Sequence, residues 1–144
     1  MNMNESIPPT GMITVAKGKE MEDLYKQEFY STVNLAMAKK IPGYNGAMRS
    51  IWFDLANLKR YIQHVENYAA TKGHTGLGFR IYFGAEEKLG QDGLVAPRQT
   101  VFFVPTCKIN SPTTIINENI TGVERLDFGE GNIPDSLNSD TGTP

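Results

Sequence analysis

The sequence predicts a single α+β domain in which two N-terminal helices pack on one face of a small, mainly antiparallel sheet. The chain has 144 residues, of which 40% are hydrophobic and 21% charged, values typical of one globular domain. Apolar residues recur at helical spacing in the first half and alternate with polar residues in the second half. We expect a flexible lead-in over residues 1–18, the domain over residues 19–128 and a disordered acidic tail over residues 129–144.

The first predicted helix runs from Lys19 to about Lys40. Its apolar stripe repeats every four residues and consists of Met21, Tyr25, Phe29, Val33 and Met37. Pro42 and Gly43 follow and end it, because proline removes a backbone donor and glycine favours a turn.

The second predicted helix has clear signals at both ends. Asp54 is a good N-cap, since its carboxylate can accept hydrogen bonds from the free N–H groups of the first turn. Lys72 and Gly73 provide a cation for the last turn and a left-handed stop. The apolar stripe between these ends is Leu55, Leu58, Ile62, Val65 and Ala69.

The glycine-rich stretch GHTGLGFRIYFGAE, residues 73–86, lies between this helix and a strand. A phosphate-binding loop runs in the order strand, glycines, helix, so that the helix N-terminus faces the phosphate. Here the glycines meet the negative end of the helix dipole instead. The stretch is therefore predicted to be a turn, not a nucleotide site.

The strand after this turn alternates, with Phe79, Ile81 and Phe83 on one face and Arg80 and Tyr82 on the other. We expect the first face to pack against both helices. The second face is too apolar to be left bare, so we expect it to be closed by the C-terminal segment or used for self-association.

A second strand is predicted over residues 100–106, paired antiparallel with the first. Residues 85–99 between them are polar and predict a long loop, and long loops are commonly functional or mobile. Residues 113–117 and 122–128 are candidates for further strands.

Charge and cysteine content narrow the function classes. The net charge is −2 with the acidity concentrated near the C-terminus, so no strongly basic field points to nucleic acid. The lone Cys107 has no disulfide partner within the chain, which suits a reducing compartment. Neither a secretory signal nor an apolar run long enough to span a membrane is recognisable, and we expect a cytoplasmic protein.

Three motifs carry a resemblance to known proteins: W-F-D-L-x2-L-x2-Y-I, R-I-Y-F-G and T-x-F-F-x-P-T, which begin at Trp52, Arg80 and Thr100. The pattern resembles a set of small uncharacterised cytosolic proteins of Bacteroidetes-type bacteria. The resemblance covers residues 50 to about 130 and consists mainly of core and cap positions. It implies a shared fold and a bacterial cytosolic origin, but no activity and no functional residue.

Several residues are candidates for chemistry. Cys107 with His64 or His74 as its base would make a nucleophilic pair, but no residue is apparent to orient the base. One cysteine and two histidines are too few for a metal site of ordinary composition. The sequence therefore assigns no catalytic residue, no metal and no cofactor.

The candidate binding residues are Arg80, Tyr82 and Arg98, because Arg and Tyr are enriched where proteins bind partners. The plain structural alternative is an ion pair between Arg80 and Glu124 on a neighbouring strand. We expect a small non-enzymatic cytosolic binding or interaction protein, with a homodimer through the Arg80/Tyr82 face as one form.

Two other functions stay open. One is a small-molecule enzyme with a pocket under the 85–99 loop, in which Arg80 holds an anion and His74 or Cys107 performs the chemistry. The other is a weak single-stranded nucleic-acid binder, which would use aromatic rings among basic residues. The residues considered for it are Lys39, Lys40, Tyr44, Arg49, Trp52, Lys59 and Arg60.

Overall fold

The computed structural model describes residues 7–110, 114–127 and 130–132 and shows an α+β fold, as predicted. Its helices and strands, in chain order, are α1 Val15–Tyr25, a π-helical segment Lys26–Tyr30, α2 Ser31–Lys40, β1 Ser50–Trp52, α3 Leu55–Lys72, β2 Gly78–Leu89, β3 Val95–Asn110, β4 Ile115–Asn119 and β5 Glu130–Asn132. Strands β2, β3 and β4 form an antiparallel sheet in that order, and β1 pairs with β5. Within the described ranges, no helix is both long and apolar enough to cross a membrane.

The N-terminal helix begins earlier than predicted. Thr14 is the N-cap, and its hydroxyl accepts a hydrogen bond from the Lys17 amide at 3.0 Å. The last part of the predicted 1–18 lead-in is therefore helical from Val15 onward, while residues 1–6 lie outside the described chain.

The π-helical segment explains how a strict four-residue repeat can stay on one side of a helix. At 3.6 residues per turn, a spacing of four residues rotates the stripe by about 40° at each step. A wider π turn between Tyr25 and Ser31 counteracts this drift. The Ser31 and Thr32 hydroxyls donate to the carbonyls of Gln27 and Glu28, which satisfies backbone groups within the wider turn.

Both predicted ends of α3 are confirmed. The Asp54 carboxylate accepts a hydrogen bond from the Asn57 amide at 2.8 Å. Gly73 adopts φ +71°, the left-handed conformation that an L side chain disfavours. The following amide, of His74, donates to the Ala69 carbonyl, so the glycine stretch closes a helix.

The predicted loop at residues 85–99 is wrong. Strand β2 continues to Leu89 and β3 begins at Val95, so the turn between them covers only residues 90–94. The β2–β3 ladder runs unbroken to Leu89 and Val95, and the buried ion pair between Arg98 of β3 and Asp92 of the turn holds the hairpin end together. The pocket expected beneath that loop has no loop to cover it.

The C-terminal predictions had mixed outcomes. Strand β4 begins at Ile115, close to the predicted 113–117 segment. Of the predicted 122–128 strand, the described residues 122–127 contribute only a bridge between Leu126 and Phe103. Glu130–Asn132, placed in the predicted disordered tail, forms β5 against β1. Residues 133–144, the rest of the predicted tail, lie outside the described chain.

The helices contact opposite ends of the sheet. At one end, α3 packs through Val65 against Cys107, and Tyr61 stacks on Phe79 with ring centroids 5.7 Å apart. At the other end, a second cluster joins Tyr44, Ala47 and Ala96 to apolar side chains of the N-terminal helix. The face that carries Phe79, Ile81 and Phe83 is left open in the middle of the sheet.

The expectation that the whole first face is buried is therefore wrong at two positions. Ile81 is 53% exposed and Phe83 is 90% exposed. Alternation along a strand assigns side chains to a face, but it does not determine whether a helix covers every position on that face.

Candidate binding groove

An apolar groove lies between the N-terminal helix and the open middle of the sheet. It has a volume of about 670 Å³. Its lining residues are Met21, Leu24, Tyr25, Phe29, Val33, Phe83 and Gln99. Phe83 forms the sheet side and Phe29 is among the exposed residues on the helix side. A surface of this composition favours apolar ligand or protein groups over ions.

Hydrogen bonds hold the helix beside the sheet and keep the groove open. The Tyr25 hydroxyl donates to the Met48 carbonyl at 3.2 Å, and the Ala47 amide donates to Asn34 Oδ1 at 3.0 Å. The Met48 amide donates to Gln99 Oε1 at 2.8 Å, which ties the same segment to β3. No residue of the helical stretch from Val15 to Lys40 is fully buried, so its apolar stripe is only partly covered.

The groove continues into a smaller cavity of about 270 Å³. The two share Tyr25, Phe83 and Gln99, and the smaller cavity adds the side chain of Arg49. The Arg49 guanidinium lies 5.2 Å from the centre of the Tyr30 ring, a cation–π distance. The combined surface is thus mostly apolar, and Arg49 is the charged residue among its described lining residues.

Arg80 and Tyr82 share the opposite face, as predicted, but both have partners inside the chain. The Arg80 guanidinium donates to the Asn119 side chain and to the Asn117 carbonyl of β4. Asn119 Nδ2 donates to the Tyr82 hydroxyl at 2.8 Å, and the Tyr82 ring stacks on Phe102 at 5.5 Å. The partners of Arg80 are therefore asparagine groups, in place of the Glu124 carboxylate considered from the sequence.

Arg98 lies on the same sheet face by register but is enclosed near the hairpin end. Its side chain is fully buried and forms an ion pair with Asp92, with Nη2 at 2.7 Å from Oδ1. Further hydrogen bonds run from Nε to the Lys88 carbonyl and from Nη2 to the Leu94 carbonyl. The structure therefore does not bring Arg98 together with Arg80 and Tyr82 as an accessible binding group.

The Asp92 carboxylate is the centre of a latch between the hairpin turn and the segment before β1. Besides Arg98, it accepts hydrogen bonds from the amides of Asn45 at 2.9 Å and Leu94 at 3.0 Å. The hydrogen bond from Arg98 is the main reason that the pKa of Asp92 falls to about 2, although burial acts in the opposite direction. The Tyr44 ring covers the guanidinium, 4.7 Å from its central carbon.

The aromatic residues considered for base stacking differ in accessibility. Tyr44 is 4% exposed and packs on Arg98, so its ring face is not free for a base. Trp52 remains about half exposed. One of the two rings proposed for a nucleic-acid groove is therefore unavailable.

Cys107 and His74 line one small cavity of about 210 Å³, together with Tyr68 and Glu118. Glu118 lies directly opposite Cys107 in the β3–β4 ladder. Cys107 is only 5% exposed and belongs to the core cluster with Val65. Across the described residues, no group of three or more His, Cys, Asp or Glu side chains is arranged to hold a metal ion.

Comparisons with family models, with curated proteins and with solved structures found no match to this chain.

The groove was not identified from the sequence, although its helix residues were. The four-residue stripe includes Met21, Phe29 and Val33, and its pattern alone predicts core positions. The signal that could have shown otherwise is the strict spacing of four, because a regular α-helix cannot keep such a stripe against one flat surface. The role of Asp92 in the hairpin turn has a weaker signal in the sequence: Asp92 is followed by Gly93, and an Asp–Gly pair is typical of a tight turn.

Proposed function

We propose that this protein is a small non-enzymatic binding protein of the cytosol, and that its groove receives an apolar surface of another polypeptide chain. The observation that carries the proposal is Phe83, a phenylalanine 90% exposed at the edge of a wide apolar groove. An exposed contiguous apolar surface on a folded domain commonly marks an interaction site. The cytosolic location rests on the lone cysteine of the sequence.

The shape and chemistry of the groove support a protein partner better than a reaction. The accessible side chains are methionine, leucine and phenylalanine, none of which transfers protons or attacks a substrate. Methionine and aromatic residues are enriched at protein interfaces because they give large contact areas. The nearest charged lining group is Arg49 in the adjoining cavity, which suits a partner with an acidic residue beside its apolar ones.

The groove is favoured over the Arg80/Tyr82 face as the contact surface. Both polar groups of that face already have hydrogen-bond partners in β4, so a partner would have to replace those bonds. No side chain has to lose a hydrogen bond when an apolar surface covers Phe83.

A photocrosslinking amino acid placed at position 83 tests the proposal. Benzoylphenylalanine is close in shape to the exposed phenylalanine, so the fold should be preserved. When cells that express this variant are irradiated, we expect a single discrete product in which the chain is crosslinked to its partner. The matched control places the same amino acid at Leu35, an exposed apolar residue of α2 that does not line the groove.

The product from position 83 should be absent or far weaker from position 35. Equal smears from both positions, or no product from position 83, would contradict a specific binding role for the groove. The mass of the product identifies the chain that was bound.

A further inference from the structure

Within the described residues, the outer edge of strand β2 is unpaired along its length. The order β2-β3-β4 makes β2 an edge strand of twelve residues, and no other strand of the described chain pairs with its outer side. Strand edges present unpaired backbone groups that bind further strands, and proteins commonly protect them with proline or charge. β2 contains no proline, and Arg80 is its only charged residue before Glu86.

The structure also shows which backbone groups point outward. The amide and carbonyl of Phe103 bond to Leu126, on the side of β3 away from β2. Ile81, which lies opposite Phe103, therefore belongs to a pair without mutual hydrogen bonds, and its own backbone groups face the free edge. By alternation, the amides and carbonyls of Phe79, Phe83 and Ala85 face the same way.

The free edge adjoins the groove. Phe83 and Ile81 are 90% and 53% exposed, and their side chains stand on the groove side of the sheet. Two copies of the chain could join at this edge through a twofold axis perpendicular to the sheet. Such an axis keeps corresponding faces of the two copies on the same side of the joined sheet, so both grooves and both Phe83 rings would lie together.

The sequence of β2 is self-complementary about Phe83. With Phe83 opposite the partner's Phe83, Arg80 stands opposite the partner's Glu86 and Tyr82 opposite the partner's Gly84. The Arg80 guanidinium reaches over β3 to Asn117 and Asn119 of β4, so the partner's Glu86 acts on it through charge attraction across the interface, without replacing those bonds.

Neighbouring registers are less favourable. An axis at Gly84 would place Arg80 opposite the partner's Lys88, a repulsive pair. An axis at Tyr82 would place Arg80 and Glu86 each opposite a glycine of the partner, so that neither charge is paired across the strands. The axis at Phe83 also uses nearly the whole strand, from Gly78 to Lys88.

We propose that the occupant of the groove is a second copy of this chain, bound through antiparallel pairing of the two β2 edges with the twofold axis at Phe83. The proposal rests on the proposed function and names its partner. The joined sheet has six strands, and each Phe83 closes the partner's groove as well as its own.

Sedimentation and a cysteine pair test the proposal on the full chain. The unmodified protein should sediment at twice the 16.0 kDa mass of one chain. Phe83→Cys should form an intermolecular disulfide in air, because directly opposed residues in an antiparallel pair lie within the Cα range of a disulfide. Glu87→Cys is the matched control, since the two copies of residue 87 would lie about 26 Å apart in this register.

Ala85→Pro separates edge pairing from other contacts. Its amide faces the free edge, so proline removes an outward donor and leaves the β2–β3 ladder intact. We expect this variant to sediment as a monomer with an unchanged circular dichroism spectrum.

A monomeric unmodified chain overturns the proposal, as does a dimer that oxidises as readily at position 87 as at position 83. If position 83 crosslinks to a different protein while the purified chain is monomeric, the self-pairing is wrong and the proposed binding function stands. If the chain is monomeric and position 83 crosslinks to nothing, both are wrong.

Discussion

Replacing Arg98 with methionine should destabilise the fold strongly, although the residue binds no ligand. The side chain is fully buried and its guanidinium makes two contacts with Asp92, at 2.7 and 3.2 Å. Methionine fills a similar volume but leaves the Asp92 carboxylate, itself 5% exposed, with only the amides of Asn45 and Leu94.

Breaking a buried ion pair from one side typically costs about 3–5 kcal/mol, because the remaining charge stays desolvated without its partner. A domain of this size has a free energy of unfolding of about 5–15 kcal/mol, so the loss is a large fraction of it. The two backbone hydrogen bonds that Asp92 keeps place the expected value near the lower end, about 3 kcal/mol.

The Asp92–Arg98 ion pair also predicts that the free energy of unfolding depends on pH in the acid range. Because the folded-state pKa of Asp92 is about 2, below its ordinary value of 3.8, the ionised carboxylate stabilises the fold. That contribution, about 2 kcal/mol, is complete above the unfolded-state pKa and is lost as the pH falls from about 5 toward 2. Asp92→Asn should remove this part of the pH dependence.

Urea unfolding followed by circular dichroism measures both effects. Arg60→Met is the matched control, since Arg60 is exposed and its one hydrogen bond, to Asn57, is 3.5 Å long. The control should change the free energy of unfolding by less than about 0.5 kcal/mol. A loss below about 1 kcal/mol for Arg98→Met would show that the latch does not hold the fold together as described.

Three further predictions concern single residues. Gly46→Ala should destabilise the chain by more than about 1 kcal/mol, because its Cβ would collide with the Arg98 guanidinium. Gly18→Ala in α1 should instead stabilise the chain by about 0.5–1 kcal/mol, because an added Cβ meets only the Ile13 side chain, at an ordinary contact distance of 3.8 Å; thermal unfolding distinguishes the two variants by the sign of the change. Asp54→Ala should cost about 1 kcal/mol through loss of the helix cap, measured by urea unfolding, and an unchanged midpoint would contradict the capping role. Cys107 should react with iodoacetamide much more slowly in the folded protein than in urea, because it is 5% exposed; rapid modification of the folded chain would revive the enzyme alternative.

The features that could be predicted from the sequence are those set by neighbouring residues. The α3 caps at Asp54 and Gly73 depend on side chains and backbone angles within one helical turn. The division of β2 into an Arg80/Tyr82 face and a Phe83 face depends only on alternation.

The features that were missed depend on residues far apart in the chain. Residues 85–89 and 95–99 continue the hairpin because they pair along one ladder, a pairing that their local pattern does not reveal. The burial of Arg98 requires Asp92 and the distant Tyr44, and the exposure of Phe83 depends on where the helix docks. Spacing determines the direction of a side chain, but tertiary packing decides what covers it.

The latch also has a consequence for the order in which the chain folds. Asp92 and Arg98 both belong to the hairpin, whereas Asn45 lies 47 positions before Asp92. Contacts across such separations carry a loop-closure cost and tend to form after local ones. We therefore expect the hairpin to assemble first and the N-terminal segment to dock onto it later.

By the same logic, the N-terminal segment can detach reversibly while β2, β3 and α3 remain in place, a partial opening of the native state. Such an opening would remove the groove, because the detached N-terminal helix forms one of its walls. A chain seated in the groove would then stabilise the docked state, so amide exchange along residues 15–40 reports directly on occupancy.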